Sequence, residues 1–79
     1  MENFQFTAII EAGENGWFVG QVEEVPEAIS QGKTVEELLE NLTDAVKLVL
    51  QAKRESVVKR FKGRKTIKRK LEIAWSEVN

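Results

Sequence analysis

The sequence predicts an α+β fold in the order βββαβ, a mostly antiparallel sheet with one helix packed on it. Three observations carry this. Apolar residues alternate with polar ones on either side of an Asn-Gly pair near the N-terminus. They then recur every three or four residues from Val35 onward. They return to alternation after Gly63. A period of two marks a half-buried strand and a period near 3.6 an amphipathic helix.

Phe4, Phe6, Ala8 and Ile10 alternate with Gln5, Thr7, Ile9 and Glu11, which predicts a first strand over residues 4–12. Gly13-Glu14-Asn15-Gly16 follows. Asn-Gly is a strong hairpin signal because both residues tolerate positive φ. The second strand runs over residues 17–23, with Trp17, Val19 and Gln21 on one side and Phe18, Gly20 and Val22 on the other. A glycine inside a strand marks a bulge or a close backbone approach, so Gly20 is expected to meet another element. Pro26 has no N–H for a ladder and breaks the strand. Ala28-Ile29-Ser30-Gln31 is read as a third strand, and Gly32-Lys33 as a turn.

Thr34-Val35-Glu36-Glu37 is a capping box. The Thr34 hydroxyl is expected to accept from the Glu37 N–H, and the Glu37 carboxylate to take up the Thr34 N–H. Glu36 and Glu37 also suit the positive end of the helix dipole. Val35, Leu38, Leu39, Leu42, Ala45, Val46, Val49 and Leu50 then form one apolar face. The helix is expected to reach at least Lys53. Val57, Val58 and Phe61 carry it on, and Gly63 ends it at the latest. Ile67, Arg69, Leu71, Ile73 and Trp75 on one face, against Lys68, Lys70, Glu72 and Ala74, predict a last strand over residues 66–75 in which Trp75 packs on the core.

At 79 residues the chain is expected to form a single domain, 1–79. So short a chain buries only about 60% of its unfolded surface. It has no cysteine and no histidine, so neither disulfides nor a Cys/His metal site can reinforce the core. Self-association, as a dimer or tetramer, is the remaining common support. The net charge of −1 hides a strong asymmetry. Residues 1–50 hold ten acidic and two basic residues, net −8, whereas residues 51–79 hold three acidic and ten basic ones, net +7. Such halves can dock on each other between copies, and an open sheet edge can equally pair with its copy. Met1-Glu2-Asn3 lacks a basic leader region, and no apolar run approaches a membrane span. A cytoplasmic location with no membrane partner is the expectation.

Read together, three segments resemble the HicB-like antitoxin family. They are Asn15-Gly16-Trp17-Phe18-Val19, then Val25-Pro26-Glu27-Ala28-Ile29-Ser30-Gln31-Gly32-Lys33-Thr34, then Glu36-Glu37-Leu38-Leu39-Glu40-Asn41-Leu42 with Asp44-Ala45. The resemblance covers residues 4–50 closely and the remainder in type only. It implies a partial ribonuclease-H-like βββαβ fold and the role of a type II antitoxin. Such a protein binds and neutralises a small toxin that cleaves messenger RNA. Many members carry a C-terminal helix-turn-helix or ribbon-helix-helix module. Only Ser76 to Asn79 follow the predicted last strand here, so autorepression through such a module is not expected.

A toxin that holds phosphate presents a basic surface, which carboxylates can cover. The candidate partner-binding residues are therefore Glu14, Trp17, Phe18, Glu23, Glu24, Pro26 and Glu27, around the hairpin and the proline loop. Neighbours on a strand point to opposite faces, so one of Trp17 and Phe18 fills the core and the other is free to meet a partner. An alternative function rests on the basic segment of Lys59, Arg60, Lys62, Arg64, Lys65, Lys68, Arg69 and Lys70. In that reading an orphan oligomer binds nucleic acid through clustered cations. The plainer reading of the same segment is a solvated strand edge protected by its charges. No catalytic, metal-binding or cofactor-binding residues are assigned. The commonest general base and the best nucleophile are missing, and the predicted strands bring too few carboxylates together for two metal ions. The chain is read as a non-enzyme without a cofactor.

Overall fold

The computed structural model describes residues 5–72. It contains β1 (Ala8–Ala12), β2 (Phe18–Val22), β3 (Ile29–Gly32) and one long helix, α1 (Val35–Arg60). The strands form an antiparallel meander in the order β1-β2-β3. Ala8 pairs with Val22 and Ala12 with Phe18, while Phe18 pairs with Gly32 and Gln21 with Ile29. The expected α+β arrangement of a sheet with a helix packed on it is present as βββα.

The hairpin forms at the predicted glycine cluster. Asn15 and Gly16 both take positive φ, at 59° and 77°, within a short 3-10 turn over Glu14–Gly16. The Gly13 N–H closes the turn on the Trp17 carbonyl at 2.7 Å.

Alternation along the strands sorts the two faces as the sequence implies. Ala8, Ile10, Phe18, Gly20 and Val22 face the helix, and Val22, Leu38, Leu42 and Val46 are buried. Gly20 is the close approach expected of it. A Cβ there would lie 3.1 Å from both the Leu38 and the Leu42 side chains. Val25 and Ala28 complete the buried core from the proline loop. That loop is pinned by the Val22 N–H to the Ala28 carbonyl at 3.0 Å and the Ala28 N–H to the Val25 carbonyl at 2.9 Å.

The helix begins at the predicted cap, where the Glu37 N–H donates to the Thr34 hydroxyl at 3.0 Å. The returning bond differs from expectation: the Glu37 carboxylate accepts from the Lys33 N–H at 2.9 Å. Gly32 is the last residue of β3 rather than part of a turn. A Cβ on it would lie 2.6 Å from the Leu38 amide nitrogen, so the helix backbone rests directly on the strand. Leu39 and Leu50, placed on the core face by spacing, are exposed.

Two departures concern the C-terminal part. The helix runs past the sheet. Twenty-six residues span about 39 Å, whereas a five-residue strand spans about 17 Å. Every residue from Gln51 to Glu72 is exposed, including Val57, Val58 and Phe61, which have no sheet beneath them. The expected fourth strand over 66–75 is not formed at residues 66–72, which pair with no strand among the described residues. Ile73, Ala74 and Trp75 of that expectation, and Phe4 of the first strand, lie outside the described residues. The protruding helix gives a radius of gyration of 16.1 Å and extents of 53 × 29 × 22 Å, against a radius of roughly 12 Å for a compact chain of this length. Among the described residues no helix is long and apolar enough to cross a membrane.

Candidate protein-binding site

The helix covers one face of the sheet and leaves the other open. Two cross-strand rows line the open face. Ile9, Gln21 and Ile29 form one row, and Glu11, Val19 and Gln31 the other. Ile9 is 53% exposed and Ile29 62% exposed, so two large apolar side chains stand in water on a face they share with Glu11, Val19, Gln21 and Gln31. Together with Pro26, Glu23 and Val19 they line a shallow hollow of about 550 Å³. The Gln21 side-chain amide donates to the Pro26 carbonyl at 2.7 Å and thereby joins the proline loop to this face.

The predicted partner-binding residues divide by position. Glu23 and Pro26 line the hollow. Phe18 packs against the core, so it is the member of the Trp17–Phe18 pair that faces inward. Trp17 is half-buried beside the sheet, with the Lys33 ammonium 5.5 Å from its ring centroid. Glu14 is exposed on the hairpin turn.

Glu24 is engaged within the fold. Its carboxylate accepts from the Thr7 N–H at 2.6 Å and the Thr7 hydroxyl at 2.7 Å. The backbone bond from Thr7, and then the hydroxyl bond, hold this carboxyl below the ordinary glutamate value, because both favour the charged form. Glu27 pairs with Lys53 at 2.7 Å, and that hydrogen bond lowers its carboxyl likewise. Both side chains of this pair are more than half exposed, so it orients the loop more than it stabilises the fold.

Ile9, Glu11, Val19 and Ile29 belong to the hollow, although spacing alone gave Ile9, Val19 and Ile29 no partner role. The available signal was an apolar residue at a solvent-facing position of an alternating strand. The basic residues Lys59, Arg60, Lys62, Arg64, Lys65, Lys68, Arg69 and Lys70 are all exposed, on the last turn of α1 and the segment after it. They lie on the protruding arm rather than on the sheet. Among the described residues no three acidic side chains converge in a way that could hold a metal ion.

No protein-family model matches the chain, and no solved structure matches it. Two curated proteins do. A UPF0150 protein of Synechocystis is 33% identical over 51 residues, which cover 65% of this chain and 74% of that protein. The chain belongs to the UPF0150 family. A UPF0150 protein of Archaeoglobus fulgidus is 34% identical over 50 residues, covering 63% of this chain and 72% of its own. In this UPF0150 chain the open hollow and the pinned proline loop both fall within the βββα unit, and the basic arm comprises the last turn of α1 and the segment after it.

Proposed function

We propose that this chain is a protein-binding module that acts as a HicB-like antitoxin, covering a small basic RNA-cleaving toxin with the open face of its sheet. The observation that carries the reading is the pair of exposed isoleucines, Ile9 and Ile29, on either side of Gln21 with Glu11 and Glu23 close by. Buried apolar contacts supply most of the affinity of an interface, while surrounding charges set on-rate and partner choice. An apolar strip edged by carboxylates suits a partner whose working surface is basic because it holds phosphate.

The test is affinity capture from the native lysate, followed by an RNA-cleavage assay on any small basic protein recovered. Cleavage that stops on adding the wild-type chain, but continues with Ile9→Asp/Ile29→Asp, supports the reading. Cleavage equally suppressed by that variant, or no such protein recovered, overturns it.

A second reading is favoured by the exposure of the basic segment, Lys59 to Lys70, which leaves its cations available to phosphate. It requires binding to duplex RNA or DNA that weakens steeply as salt rises, and salt-insensitive or absent binding removes it.

A further inference from the structure

We propose that the distal half of α1 and the segment after it dock on the open sheet face of a second copy of this chain. The proposal rests on the reading of that face as a binding surface and names a second occupant for it. The donor surface is apolar and basic. Val57, Val58, Phe61 and Ile67 line a hollow of about 390 Å³ together with Lys62 and Lys68. Phe61 is 44% exposed and Ile67 82% exposed. The receiving surface is apolar and acidic: Ile9, Val19 and Ile29 with Glu11 and Glu23.

Charge selects the pairing. Net charge is −8 over residues 1–50 and +7 over residues 51–79. Two distal helices packed on each other would bring Lys53, Arg54, Lys59 and Arg60 of one copy against those of the next, and like charges across an interface are costly. Docking on the sheet face instead brings opposite signs together.

Geometry excludes the same contact within one chain. α1 lies on the inner face of the sheet, and Val57, Val58 and Phe61 are carried on it beyond the strands. No movement of the following segment brings those helix positions to the outer face of their own sheet. The contact joins two different patches. It therefore closes as a reciprocal dimer in which each copy lends its arm to the other, or continues into larger assemblies. Interleaved apolar residues favour a protein surface over nucleic acid as the arm's partner.

Sedimentation velocity on the full chain, at low and at high salt, tests this. Wild type should associate at low salt and dissociate as salt rises. Glu11→Lys/Glu23→Lys and Lys62→Glu/Lys68→Glu should each be monomeric alone, and mixing the two should restore a complex. All four positions are exposed, so unfolding midpoints should match wild type, and circular dichroism checks that they do. Phe61→Glu should abolish association at every salt concentration. A wild-type monomer at all salt concentrations overturns the proposal, as does association that survives both charge reversals. A chain that stays monomeric while its arm retains duplex nucleic acid overturns it too. A monomeric chain that still silences a toxin would sink this contact alone. A self-associating chain whose Ile9→Asp/Ile29→Asp variant still silences the toxin would sink the proposed function alone.

Discussion

A methyl group added at Gly32 would place its Cβ 2.6 Å from the Leu38 amide nitrogen, 3.0 Å from the Leu38 Cα and 3.2 Å from the Glu37 carbonyl carbon. Ordinary contact begins at 3.4 Å, so the closest approach is 0.8 Å short. All three atoms are helix backbone, which no rotamer change can move. The first turn of α1 must lift from β3 and carry with it Leu38, which is fully buried. Overpacking of this kind costs about 1–3 kcal/mol and sometimes more. The loss of unfolded-state freedom returns less than about 1 kcal/mol. Gly32→Ala is therefore expected to destabilise by roughly 2–3 kcal/mol, out of the roughly 4–12 kcal/mol usual for a chain of this size. For a domain this small the melting point should fall by on the order of 10–20 °C. Gly20→Ala provides the comparison. Its Cβ would meet the Leu38 and Leu42 side-chain ends at 3.1 Å and the Ile9 carbonyl oxygen at 3.3 Å, so its neighbours need give by only a few tenths of an ångström. Thermal and urea unfolding, followed by circular dichroism, should rank Gly32→Ala as clearly the worse. Equal stability of Gly32→Ala and wild type, or the reverse order of the two variants, would refute the reasoning.

Three further expectations use the same unfolding measurement. Leu38→Ala empties a fully buried position and should cost about 2–5 kcal/mol; a loss below about 1 kcal/mol would mean that the helix does not seal the core there. Thr34→Ala removes the hydroxyl that accepts the Glu37 N–H and should cost about 1 kcal/mol, with Thr34→Ser restoring most of it. Glu24 has a folded value below its unfolded one, chiefly through the Thr7 backbone N–H. Its contribution is therefore present above the unfolded glutamate value of about 4.3 and is lost as pH falls through the lower folded value. Wild type should melt above Glu24→Gln at neutral pH and converge with it in acid, and a constant difference across that range would show that the Thr7 contact does not titrate.

Much of the fold was legible because local chemistry and packing agree over residues 8–50. Asn15-Gly16 takes the positive φ its residues allow, Thr34 caps the helix, and Phe18 and Val22 alternate onto the core. Two kinds of information were hidden. Val25 looked like a loop residue, and Ala28 like the first residue of a strand rather than part of the loop, because the hydrogen bonds that fold the proline loop inward have no period in the sequence. Residues 66–72 alternate like a strand, but alternation states only that a strand could form; a ladder also needs a neighbour, and the helix overshoot carries the chain beyond the sheet. The candidate site was half legible. Charge pointed to Glu23 and composition to Pro26, whereas Ile9 and Ile29 become a surface only when cross-strand register sets them on either side of Gln21.

The length of α1 has a consequence for how the molecule opens. Its first turns are locked by Leu38, Leu42 and Val46, so their amides should exchange with solvent only when the whole domain unfolds. From Gln51 onward the helix is exposed and, among the described residues, is tied to the domain by the Lys53–Glu27 ion pair and otherwise held by its own hydrogen bonds, and a helical stretch of about ten residues is marginal in water by itself. Amide protection should therefore fall along one continuous helix, steeply after Lys53, the last residue tied to the domain through Glu27. A single secondary-structure element would then be both the most and the least protected part of the chain.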